Sequence, residues 1–213
     1  MLIADCVYFK RSLVYLVIRD WYTKKNIYFK RIFYETIEEY ILAVNYLERK
    51  GFIIDGIVID GRKGLVCALS KKYPVQICQF HQKQIIRRYL TNKPKTEASL
   101  MLKEIVRLLP FLDDILFGFL LDFWYKRYKE YLRQKTVNPN TKKWFYTHKK
   151  LRSAYRSLKT NLPYLFTYQK IKDMPNTTNS LDGFFSHLKN SVSVHRGLKL
   201  HRKIKLIEYL IAR

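Results

Sequence analysis

Residues 52–61 read FIIDGIVIDG. A short apolar run, rich in β-branched Ile and Val and closed by an Asp-Gly turn pair, is a buried strand. Its neighbours decide what kind of sheet holds it. Upstream, TIEEYILAVNYLERKG (36–51) sets Ile37, Tyr40, Ile41, Val44 and Leu47 at helical spacing and stops at Gly51. Downstream, RKGLVCALSKKY (62–73) reads as a helix, VQICQFH (75–81) as a strand and QKQIIRRYL (82–90) as a helix. Ahead of all these, LIADCVYF (2–9), SLVYLVIRD (12–20) and KNIYFKRIFY (25–34) are strand-like, with short polar links that suit an antiparallel meander. The order β-β-β-α-β-α-β-α predicts an α/β fold, a mixed sheet with helices on its faces.

From about 96 to 160 the strand signal vanishes. EASLMLKEIVRLL, DDILFGFLLDFWYKRYKEYLRQ and TKKWFYTHKKLRSAYRSLK read as long helices, with TVNPNT as the clearest loop and Trp124 as a core residue. The end of the chain, HRGLKLHRKIKLIEYLIAR, is basic. No repeat or low-complexity tract interrupts the pattern.

The formal charge is +24, from 41 Lys and Arg against 17 Asp and Glu in 213 residues. Such an excess repels itself in a compact chain unless a polyanion relieves it. Nucleic acid is the first expectation and an anionic membrane surface the weaker one, since no stretch is apolar for long enough to span a bilayer. The start MLIADCVYF is too short and too acidic for a signal peptide. Three cysteines, Cys6, Cys67 and Cys78, fit a reducing cytoplasm better than a disulfide framework. Cys67 reads most simply as a helix core residue.

Three acids stand out against this basic background. Asp5 interrupts a strand, and Asp60 closes one. Asp is a poor strand residue, and a carboxylate beside a core is costly unless paired or bound to metal. The plain alternative for Asp60 is a turn residue ahead of Gly61. The third, Asp182, lies in NTTNSLDGFFSHLK, where Asn176, Thr177 or Thr178 can cap a helix and Leu181, Phe184, Phe185 and Leu188 form its apolar stripe. A first-turn acid is favoured by the helix dipole, which accounts for Asp182 but not for Gly183 beside it. Glycine there weakens the helix, and close approach of another backbone or a ligand would explain it. Three carboxylates, two on strands and one on a late helix, suit a two-metal site for phosphoryl transfer.

These residues resemble the catalytic domain of bacterial insertion-sequence transposases related to the eukaryotic Mutator elements, which are DDE enzymes with a ribonuclease H-like fold. LIADCVYF is similar to the strand of the first acid, GIVIDGRKGL to the strand and helix of the second, CQFHQKQ to the Cys-x-x-His motif, and NTTNSLDGFFSHLK to the last acidic helix. The resemblance implies Asp5, Asp60 and Asp182 as catalytic residues and as ligands of two Mg²⁺ (or Mn²⁺) ions. It implies cleavage and strand transfer at transposon ends, with water and then a DNA 3′-hydroxyl as nucleophile. Transposon ends and target DNA are the implied partners, with a homodimer or higher oligomer on DNA, in the bacterial cytoplasm at the nucleoid. It divides the chain into a ribonuclease H-like core at 1–90 and 174–213 around an all-helical insertion at 91–173. This sequence departs from the family in having Asp182 where Glu is usual. Met1 lies four residues before Asp5, so the family's N-terminal DNA-binding region is expected to be missing.

Cys78 and His81 have zinc-ligand spacing, but no second pair matches it, and packing or DNA contact are the alternatives. Trp144, Arg152, Arg156 and Lys159 combine an aromatic face with cations, a combination that suits stacking on bases and gripping phosphates. Asn179 and Lys189 share the helix of Asp182, and Arg196 opens the basic tail, so these three complete the expected DNA contacts. The opposing expectations are a DNA-binding protein without catalysis and a nuclease without strand transfer.

Overall fold

The computed structural model describes residues 1–9 and 13–213, so Ser12, the first residue of the second expected strand, lies outside the described residues. The chain divides into two compact units, residues 1–78 with 171–213, and residues 79–170.

The first unit is an α/β layer structure. Strands β1 (Leu2–Tyr8), β2 (Val14–Asp20), β3 (Asn26–Ile32), β4 (Ile57–Ile59) and β5 (Val75–Ile77) form one sheet in the order β3-β2-β1-β4-β5. The first three strands pair antiparallel, as the short links require, while β4 and β5 run parallel to β1. Helices α1 (Ile37–Arg49) and α2 (Lys63–Leu69) provide the crossovers that parallel pairing needs. The strand at 52–61 is shorter than the apolar run that announces it, and only Ile57–Ile59 form it. Helix α1 stops in a Schellman turn: Phe52 N–H donates to the Leu47 carbonyl and Gly51 N–H to that of Glu48, with Gly51 at φ +88°.

Alternate side chains of β1 and β2 meet helices on opposite faces, as a two-residue period dictates. On one face the Tyr40 hydroxyl of α1 lies 3.4 Å from Cys6 Sγ. On the other, Arg19 Nη1 donates to the Ser180 carbonyl of α7 (Asn179–Val194), and the Tyr15 hydroxyl to Glu208 of α8 (Leu200–Ala212). Between these helical layers Ile3, Leu16, Val17, Ile18, Ile57 and Ile59 are fully buried. Asp5 belongs to the α7 face.

The second unit comprises α3 (Gln79–Leu90), α4 (Glu97–Leu108), α5 (Asp114–Arg133), a hairpin of β6 (Lys135–Val137) and β7 (Trp144–Tyr146), and α6 (Lys149–Leu165). Helix α3 packs on α4 and α6 and so belongs here, which moves the division from 90/91 to 78/79. The core is aromatic: Trp124 is fully buried as expected, donates from Nε1 to the Ala98 carbonyl at 2.9 Å, and stacks on Tyr155.

The hairpin corrects the expectation of an all-helical segment. Trp144 lies on a strand, not on a helix, because TVNPNT closes a tight loop ahead of it. Asn138 Oδ1 accepts from the N–H groups of Asn140 and Thr141, and Lys142 takes φ +52°. That local bonding reverses the chain and pairs Trp144 with Val137. Cys67 is a second correction: it is exposed, on the outer side of α2, whose buried positions are Leu65, Val66 and Leu69.

Candidate functional site

The sheet register brings the first two acids together. Ile3 pairs with Val58, and Ile59 with Ile77, and the ladder runs on to Cys78, whose N–H donates to the Ile59 carbonyl at 2.8 Å. Asp5 lies on β1, and Asp60 and Cys78 directly follow β4 and β5, the next two strands of the sheet. The Cys6 thiol registers both acids: burial pushes its pKa up, the Tyr40 hydroxyl opposes this, and the charges of Glu35, Asp5 and Asp60 push it further up.

Asp60 is held by its own turn. Its Oδ1 accepts from the Arg62 N–H at 3.2 Å. Between them Gly61 sits at φ +91°, where a Cβ would stand 2.8 Å from Ile77 Cγ2. Only glycine allows the chain to turn there without displacing β5. On the far side of the turn, Arg62 donates to the Glu35 carbonyl at 2.6 Å and pairs with its carboxylate, while Tyr8 and Tyr40 donate to the same carboxylate.

The third acid arrives on α7. Leu181, Phe185, Leu188 and Val192 bury one side of that helix, while Phe184 is half-buried with the Arg19 guanidinium 5.0 Å from its ring centre. The expected stripe therefore runs through Val192 and leaves Phe184 at its edge. Arg19 also holds the Ser180 carbonyl at 2.7 Å, so one half-buried cation fastens the first turn of α7 to β2. Carboxylate oxygens of Asp5 and Asp182 lie within 4.8 Å of one another, although 176 residues separate them in sequence. Asp60 does not join both within that distance.

Thr178 sets the position of Asp182. Its hydroxyl lies 2.9 Å from Asp182 Oδ2 and 3.4 Å from Cys78 Sγ, and its N–H donates to Cys78 Sγ at 3.3 Å. Thr178 and Cys78 are both fully buried. Cys78 is thus a packing residue of the sheet edge, and burial keeps its thiol from touching DNA. Thr178 is legible in the sequence only as a cap; the signal for its present role is the four-residue Thr–Asp spacing across the first turn of a helix. The approach expected at Gly183 is not made by this chain, since a Cβ added there would meet nothing within 4 Å.

His81 stands in the first turn of α3, and Asn179, Lys189 and Arg196 are exposed on α7 and just beyond it. In the second unit Trp144 is 55% exposed with Lys135 Nζ over its ring, and Arg156 is exposed. Lys159 is paired with Asp122 at 2.6 Å. Arg152 is engaged within its own unit. Its Nη1 donates to the Leu132 carbonyl at 2.8 Å, at the C-terminal end of α5, and the guanidinium lies 3.6 Å from the centre of the Tyr146 ring. No helix among the described residues is long and apolar enough to cross a membrane. No protein-family model matches the chain, and a comparison with curated proteins returns no relative.

Proposed function

We propose that this chain is the catalytic domain of a DDE-type transposase, built on a ribonuclease H-like fold, that cleaves DNA and transfers the cut strand. One observation carries the reading. Asp5 and Asp182 approach within 4.8 Å from opposite ends of the chain, and Asp60 directly follows β4, the strand that pairs with β1. Carboxylates gathered at a sheet face repel one another, and a cation relieves that cost. The oxygen donors suit Mg²⁺ or Mn²⁺, around which neighbouring ligand oxygens at ~2.1 Å stand about 3 Å apart. Asp5, Asp60 and Asp182 would hold the ions. When bound, such ions stabilise the attacking and leaving oxygens of an in-line displacement at phosphorus.

The protein's own part is to hold these carboxylates still. The Gly61 turn fixes Asp60, Thr178 fixes Asp182, and Arg19 fixes the helix that carries Asp182. Exposed Asn179, Lys189, Arg196 and Arg156 supply donors and charge for phosphates, and the charge of +24 supplies the long-range attraction. Water is the nucleophile for cleavage and a DNA 3′-hydroxyl for strand transfer.

The test is incubation with supercoiled plasmid in Mg²⁺ or Mn²⁺. The reading expects metal-dependent nicks and joined products. Nicks without joining would make the chain a nuclease, and retention of DNA without nicks in either metal would make it a binding protein. The second reading has one observation in its favour, the shorter Asp182 where the resembled family has Glu.

A further inference from the structure

A cleft of about 580 Å³ opens between α3 and α4, wholly inside the second unit. This is within the ~300–1,000 Å³ range of small-molecule sites. Its lining has a regular design. Lys83 and Arg87 lie one turn apart on α3, and Lys103 and Arg107 one turn apart on α4, so two cation pairs border the cleft. Between them Ile86 and Val106 give an apolar floor.

The cations are not equally engaged. Arg87 Nε donates to Asn92 Oδ1 and Lys103 Nζ to the Asn92 carbonyl, which holds the α3–α4 connection in shape. Arg107 pairs with Glu104, the one acid of the lining. Lys83 has no hydrogen bond or ion pair among the described residues, yet it is half-buried, and burial holds its ammonium below the usual lysine range. A half-buried cation without a counter-charge, above an apolar floor and flanked by two guanidinium groups, fits an anion joined to a flat apolar body. The anion would meet Lys83 and the Arg forks, and the flat ring would lie on Ile86 and Val106.

We propose that this cleft binds a nucleoside 5′-phosphate unit, either as free nucleotide or as an unpaired residue of a DNA strand. The strand as source rests on the reading of the chain as a DNA-acting protein, whereas the cleft stands on the geometry of the second unit alone.

The experiment measures binding of dTMP, and of a short oligo-dT strand, to the full chain and its variants. Lys83→Ala should weaken the bound species about tenfold or more, the scale of a lost charge-assisted hydrogen bond. Glu104→Gln should tighten it severalfold by freeing Arg107, a gain that damage to the fold cannot imitate. A control that removes two cations elsewhere, Arg49→Ala with Lys71→Ala, should leave dTMP binding unchanged. Binding of dTMP alone would identify free nucleotide as the source, and competition between dTMP and the strand would identify the strand. The proposal is overturned if dTMP neither binds nor competes at millimolar concentration and Lys83→Ala affects the strand no more than the control does. Nucleotide binding that depends on Lys83, in a protein that nicks no plasmid, would keep the cleft and remove the catalytic reading.

Discussion

The hydroxyl of Thr178 lies 2.9 Å from Oδ2 of Asp182, one helical turn ahead of it. A threonine hydroxyl carries one proton; the shorter contact is to the carboxylate, and the Cys78 sulfur lies farther off at 3.4 Å. Thr178→Val keeps the shape and removes this link. The expected result is slower metal-dependent nicking and a higher metal requirement, with Thr178→Ser restoring both. Nicking rates across a Mn²⁺ titration check this, and equal rates in Val and Ser variants would make Thr178 a packing residue.

Gly183 is exposed, and the space beside it is open. Gly183→Ala should therefore stabilise α7 by up to ~1 kcal/mol. In a chain of this size that corresponds to a rise in Tm of roughly 2–4 °C. A thermal unfolding curve reads it directly. A fall in Tm would mean that the helix turn at Asp182 is not in the conformation described.

Two arginines expected to act alike should separate. Arg156 is exposed and Arg152 caps the carbonyl end of α5. Arg156→Ala should flatten the salt dependence of duplex binding by ~0.9 in the log–log slope, with stability unchanged. Arg152→Ala should instead cost about 1.5 kcal/mol of stability or more, the scale of a hydrogen bond from a charged group. Salt titrations and denaturant curves on both variants decide it; a slope lost with Arg152 and kept with Arg156 would reverse the assignment.

His148 stacks on Tyr131 and shares a hydrogen bond with Gln134 at 3.0 Å. Burial lowers its pKa below the ordinary 6.5. The unfolded chain therefore takes up the proton first as pH falls. Stability from this group is complete above about pH 6.5 and declines as pH falls toward the folded value. His148→Phe keeps the stacking and removes the titration, so wild type should lose stability relative to it between pH 7 and 5. A constant difference across that range would contradict the shift.

Most of the first unit is legible in the sequence because its signals are local. Three β-rich stretches with short links can hardly avoid an antiparallel meander, and the apolar runs at Ile57 and Val75 are too short for helices. Asp5 and Asp60 can be singled out because a carboxylate contradicts its strand. Register is what sequence alone does not carry: the pairing of Ile3 with Val58 is what makes β1, which holds Asp5, the neighbour of β4, which Asp60 follows. Trp144–Tyr146 reads as helical because its strand depends on Asn138 bonding its own loop, a contact the hydrophobic period does not record. Cys67 reads as buried because a seven-residue helix leaves its outward face undefined by spacing alone.

If Asp5 and Asp60 hold metal for DNA cleavage, neither carboxylate can be lost without stopping the reaction. The most direct measurement compares plasmid nicking in Mn²⁺ by wild type, Asp5→Asn and Asp60→Asn, with duplex affinity measured on the same samples. Each substitution is expected to abolish nicking while affinity and Tm stay close to wild type. Full nicking by either variant would contradict it, because that acid would then be a strand or turn residue only.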